Sequence, residues 1–187
     1  MKQSEVISEL KELIINQLER VYSFQEEESK LLSTSPDPNS WNVLQCLEHL
    51  NRYSEFYTNS IGSKLKSASK KGTNYQELEF KAGYFGNKFY LDMLPKEDGS
   101  IKKMKTFKSK NPTQQEANSG SLENFISYQE DWLKVLDAAK SFNLNKNNCK
   151  LTIPLIKMNL GSTLKFVIAH QERHLQQAER ALAAAKL

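Results

Sequence analysis

The chain has 187 residues and a formal net charge of +4, from 26 basic and 22 acidic side chains. That excess is small, and much of it sits in one lysine-rich segment, which argues against the dense basic face of a nucleic-acid binder. Two cysteines make no disulfide framework, the N-terminus turns polar at once, and no apolar run is long enough to cross a bilayer; a cytoplasmic protein with no membrane partner is expected.

At this length a single domain over residues 1–187 is expected. From Ser4 to Leu32, Val6, Leu10, Leu13, Ile14, Leu18 and Val21 recur at helical spacing, and Glu26 to Glu28 read as a solvated face near the helix end. Pro36 and Pro38 break the chain, and Asn39 or Ser40 is placed to cap a second helix over Trp41 to Leu65. Its stripe is Val43, Leu47, Leu50, Tyr57, Ile61 and Leu65. His49 falls on the stripe's border, near Tyr53 and Phe56.

Residues 67–74 read as a polar loop. The aromatic-rich stretch that follows predicts a short extra helix over Phe85 to Met93. Pro95 to Gly120, with Lys102, Lys103 and Lys105, reads as a long solvated connection; the sharper alternative is a lid over a pocket. A third helix is expected from Ser121, carrying Leu122, Phe125, Gln129, Trp132 and Leu136. A second long link covers Phe142 to Gly161, with its apolar run broken at Pro154. The fourth helix, Ser162 to Ala185, carries Leu164, Val167, Ile168, Leu175, Ala178 and Leu182 on one stripe. The fold class is therefore all-α, a four-helix bundle with long crossover loops and a short extra helix.

All three histidines of the chain fall within this pattern. His170 and His174 stand four residues apart, which stacks both imidazoles on one side of the last helix. His49 sits on the corresponding edge of the second helix. Three neutral imidazoles from two helices are a usual way to hold a divalent transition metal with one coordination position open. Such donors suit zinc, nickel, iron or copper, with zinc or nickel favoured here. The glutamate of a zinc-protease motif is absent, since Gln171 follows the first histidine. Cys46, one turn before His49, offers a soft fourth ligand or, deeper in the stripe, a small buried hydrophobe. Asp92, Glu48, Glu55 and Glu130 have no spacing that brings a carboxylate to the histidines, and no catalytic base is named. The plain alternative is a structural bundle in which each imidazole packs with its own partner.

Three segments carry a resemblance. Trp41-Asn42-Val43-Leu44-Gln45-Cys46-Leu47-Glu48-His49-Leu50 and His170-Gln171-Glu172-Arg173-His174-Leu175-Gln176-Gln177 resemble the second-helix and last-helix signatures of DinB-like proteins. Lys103-Met104-Lys105-Thr106-Phe107 resembles the loop before their third helix, and the order matches along nearly the whole chain. The resemblance implies a metal-binding four-helix bundle with His49, His170 and His174 as the metal triad, and a homodimer as the frequent assembly. It also implies a low-molecular-weight thiol S-transferase acting on small-molecule electrophiles, since characterised relatives use bacillithiol, mycothiol or glutathione. The alternatives are a metal-dependent hydrolase and a non-catalytic metal- or ligand-binding stress protein. Arg173, Gln177, Tyr53 and the lysine-rich loop are the candidate contacts for substrate or thiol cofactor.

Overall fold

The computed structural model describes residues 1–67, 74–94 and 104–187. Four long helices form the body: α1 (Gln3–Gln25), α3 (Val43–Ser67), α5 (Gly120–Ala139) and α6 (Leu160–Ala185). Short α2 (Ser29–Ser33) lies between the first two, and α4 (Gly83–Met93) is the extra helix expected from the aromatic-rich stretch. A single 3₁₀ turn spans Lys108–Lys110, and a minimal antiparallel hairpin pairs β1 (Cys149–Lys150) with β2 (Lys157–Met158).

The helix ends differ from the sequence reading for local reasons. The first helix does not run on to Leu32: it stops at Gln25, and a turn through the glutamates restarts the chain as α2, which returns Leu32 to the core. The second long helix starts at Val43, not Trp41, and is capped by neither Asn39 nor Ser40. Asn42 Oδ1 accepts from the Gln45 backbone N–H at 2.8 Å, while Gln45 Oε1 accepts from the Asn42 N–H at 3.2 Å. This reciprocal cap frees Trp41 from the helix. At the start of α6, Asn159 accepts from Ser162 N–H at 2.8 Å, so the helix begins two residues before Ser162.

In the bundle α3 packs on α5 and α6, α1 packs on the same two, and α4 lies along α6. The core divides into two apolar clusters. One holds the first half of α1 with the second halves of α3 and α5 and the start of α6; the other holds the complementary halves. Helices α1 and α6 therefore run one way and α3 and α5 the other. Two parallel neighbours cannot be joined by a tight turn, so the α3-to-α5 connection is long and carries α4 along the outside.

Between the clusters lies a polar layer to which every long helix contributes: Gln17, Asn51 and Ser54, Gln129, and His170, Gln171, Arg173 and His174, all buried. Gln129 donates to Gln17 Oε1 at 3.0 Å, and Gln17 donates to the Ile168 carbonyl at 3.3 Å. Trp132 and Gln171 both donate to Ser54 Oγ, at 3.1 and 3.3 Å. Polar groups this deep are costly unless paired, so the layer fixes the register of the four helices around the histidines.

Candidate metal centre

Helix α3 supplies His49 and helix α6 supplies His170 and His174. All three are at most 8 % exposed. One ring nitrogen from each lies within 4.8 Å of the others, and Nε2 of His49 stands 3.3 Å from Nε2 of His170. Two nitrogens bound tetrahedrally at roughly 2.0–2.1 Å from one ion would sit about 3.3–3.4 Å apart. The pair is thus already at the edge length of such a polyhedron.

The outer nitrogens are held as well. Nδ1 of His49 donates to the Lys110 carbonyl at 2.6 Å, and Nδ1 of His174 donates to Gln177 Oε1 at 2.9 Å. A carbonyl can only accept, so the His49 proton is on Nδ1 and its Nε2 presents a lone pair inward. The Gln177 amide oxygen does the same for His174. These partners are the outer shell that a histidine–metal site requires, here built from neutral oxygens.

Burial keeps the rings neutral. It pulls His49 down to about 4, with the charges of Lys110 and Arg52 acting the same way against the Lys110 hydrogen bond. Burial also holds His170 and His174 well below the usual imidazole value, reinforced by their neighbouring imidazoles and by Arg173. Neutral imidazole is the ligating form, so no proton must leave these rings before an ion enters at neutral pH.

The segment leading into α5 is pinned to α3. Gln45 donates to the Pro112 carbonyl at 3.2 Å, Arg52 pairs with Glu116 at 3.0 Å, and Lys110 Nζ donates to the Arg52 carbonyl. Residues 104–117 are largely exposed, as expected of a solvated link, yet they also supply the His49 acceptor and part of a pocket wall; Lys102 and Lys103 lie outside the described residues. That pocket, about 90 Å³, opens onto the three histidines and is lined also by Tyr53, Met93, Met104 to Phe107, Thr152, Ile153, Phe166 and Arg173.

Of the residues named from sequence as contacts, Tyr53 and Arg173 line this pocket, and Tyr53 packs 4.9 Å from His49 and 4.7 Å from His170, centroid to centroid. Gln177 sits behind His174, outside the lining. Cys46 is fully buried among Val43, Leu47 and Leu50, where burial pushes its thiol up; it packs as a hydrophobe and is not grouped with the histidines. Glu48 turns away, accepting from Arg52 and Ser121 at 3.2 and 3.0 Å. The sequence pattern does not mark Trp41 as a site residue, yet its ring covers the site, 4.8 Å from His49 and 5.7 Å from His174. Its place just outside the α3 cap is the signal that could have found it.

An inward-facing three-histidine cluster in a helical bundle defines a protein able to hold a metal ion. Residues 19–178 match the family model of the DinB superfamily, and the chain belongs to that superfamily. No curated protein and no solved structure matches it. Among the described residues no helix is long and apolar enough to cross a membrane.

Proposed function

We propose that His49, His170 and His174 bind one divalent transition ion, zinc or nickel, and that the protein is a thiol S-transferase acting on small electrophiles. The observation that carries this reading is the convergence of three buried, neutral imidazoles with two Nε2 atoms 3.3 Å apart. An ion there would supply the positive charge that favours a bound thiol in its thiolate form. The chain's own residues then have three tasks. Lys110 and Gln177 keep the inner nitrogens unprotonated, Trp41 and Tyr53 shield the rings from water, and Arg173 and Lys105 offer cationic contacts to acidic groups of a thiol cofactor. In the transfer, the thiol gives its proton to solvent, a sulfur–carbon bond forms, and the leaving group departs with the electron pair of the bond it gives up.

Among the described residues no Asp or Glu lines the pocket. A bound ion would bring water and thiol alike close to neutral pKa values, so neither would depend on a carboxylate to lose its proton. Arg173 and Lys105 in the lining, suited to an acidic thiol cofactor, are what favour the transferase over the hydrolase. The test is conversion of monochlorobimane with bacillithiol, mycothiol, glutathione and cysteine by zinc- and nickel-loaded protein. Conversion should disappear on chelation and in His170→Ala. Stoichiometric metal with no product from any thiol would leave a binding protein instead.

A further inference from the structure

We infer that the pocket over the triad selects ligands with a small anionic head and an apolar body, the head reaching the histidines and the body lying along Phe166, Phe107 and Met104. This rests on the metal reading above and names the ligand chemistry for the same site.

Space limits the head. A cavity of about 90 Å³ is well short of the roughly 150 Å³ that takes up one benzene. A thiolate or carboxylate with its first carbon fits; a larger body must stay at the mouth.

Charge chooses its sign. The triad is neutral, the lining holds the cations Arg173 and Lys105, and among the described residues no acidic side chain lines the pocket. Asp92 acts on Arg173 from outside the pocket, while Lys110 and Arg52 add positive potential at His49. A divalent ion would bring two further positive charges that no described lining side chain neutralises. In a poorly solvated site that excess is met most readily by an anion from the ligand.

The walls choose the body. Met93 and Phe166 are 3 % and 6 % exposed at the inner end, whereas Met104 and Phe107 line the same pocket and remain 52 % and 46 % exposed. Apolar side chains thus line the pocket both at its buried end and at its solvent edge. Phe89 extends it on α4, its ring 6.0 Å from that of Phe166. An alkyl or aryl body laid on these side chains removes apolar surface from water on both partners.

The test uses the zinc-loaded full chain and measures binding of acetate, butanoate, hexanoate and octanoate, with hexylamine and hexanol as charge controls. A parallel series of alkane-1-thiols distinguishes a thiolate head from a carboxylate head. Affinity should rise about two- to fourfold per methylene in at least one series, and hexylamine should not bind. The Met104→Ser/Phe107→Ser variant changes only exposed side chains; it should keep its zinc and lose most of the chain-length dependence. A flat series in both heads, equal binding of hexylamine, or an unchanged slope in the variant overturns the inference while leaving the metal reading intact. Failure of the protein to take up zinc or nickel removes both.

Discussion

The carbonyl oxygen of Lys110 lies 2.6 Å from Nδ1 of His49. A backbone group of the connection before α5 therefore fixes the tautomer of a side chain on α3. In metal-free protein at neutral pH, imidazole ¹⁵N spectra should report Nδ1 protonated and Nε2 bare at His49, and likewise at His174. One equivalent of zinc should then move the Nε2 resonances of all three rings together. A protonated Nε2 at His49 would contradict the hydrogen bond on which the inward lone pair depends.

Gln177 gives a second handle on the same principle. Its amide oxygen is the acceptor for Nδ1 of His174. Gln177→Leu leaves that N–H without its partner and lets the ring turn, so zinc affinity should fall about 10- to 100-fold. Gln177→Glu keeps an acceptor and adds charge, and should bind zinc at least as tightly as the wild type. Competition with a chromogenic chelator measures both. Equal affinities across the three proteins would show that His174 is not held through Gln177.

Coupling among the histidines separates a shared ion from three independent packing roles. If they hold one ion, His49→Ala alone should abolish most of the zinc-dependent rise in melting temperature, and adding His170→Ala should remove little more. In excess chelator the two substitutions, on different helices, should each carry their own modest cost. Additive effects in zinc would point to separate packing roles.

Much of this was legible in the sequence because one-sided burial writes a period. Val43, Leu47, Leu50, Tyr57, Ile61 and Leu65 repeat along α3 and are all buried. The four-residue spacing of His170 and His174 likewise survives as a shared face. What escaped was set by tertiary contact or by the backbone. The break after Gln25 uses neither glycine nor proline and exists to bring Leu32 back to the second cluster. The Lys110 carbonyl carries no side-chain signal. The hairpin at Cys149–Lys150 and Lys157–Met158 has strands of two residues, too short for any alternation to register.

Gly86 shows how closely α4 is seated, and it predicts a defect that reaches the pocket. A Cβ at this position would fall on the Ser162 side chain of α6. Gly86→Ala should therefore cost about 1–3 kcal/mol by forcing the helices apart. Met93, at the far end of α4, lines the pocket, so the displaced helix should loosen ligand binding more than zinc binding. Urea denaturation and paired zinc and carboxylate titrations measure the two effects.

The pH dependence of the metal-free protein follows from the same burial. His49 titrates near 4 in the folded chain, and His170 and His174 well below the ordinary range; in the unfolded chain each returns to about 6.5. Above about pH 6.5 both states are neutral at these rings, and the stability they contribute is fully present. As pH falls through that value the unfolded chain takes up protons that the folded chain refuses. Stability should then decline by about 1.4 kcal/mol per pH unit for each histidine, until the folded values are reached. Urea midpoints in excess chelator should therefore drop steeply between pH 6.5 and 4. A variant carrying His49→Leu, His170→Leu and His174→Leu should show a much shallower decline until the carboxylates begin to protonate. A wild-type midpoint that held level down to pH 5 would require the rings to accept protons in place. Three imidazoles packed nitrogen to nitrogen beside Arg173 are the wrong arrangement for that, because each added charge would meet the next.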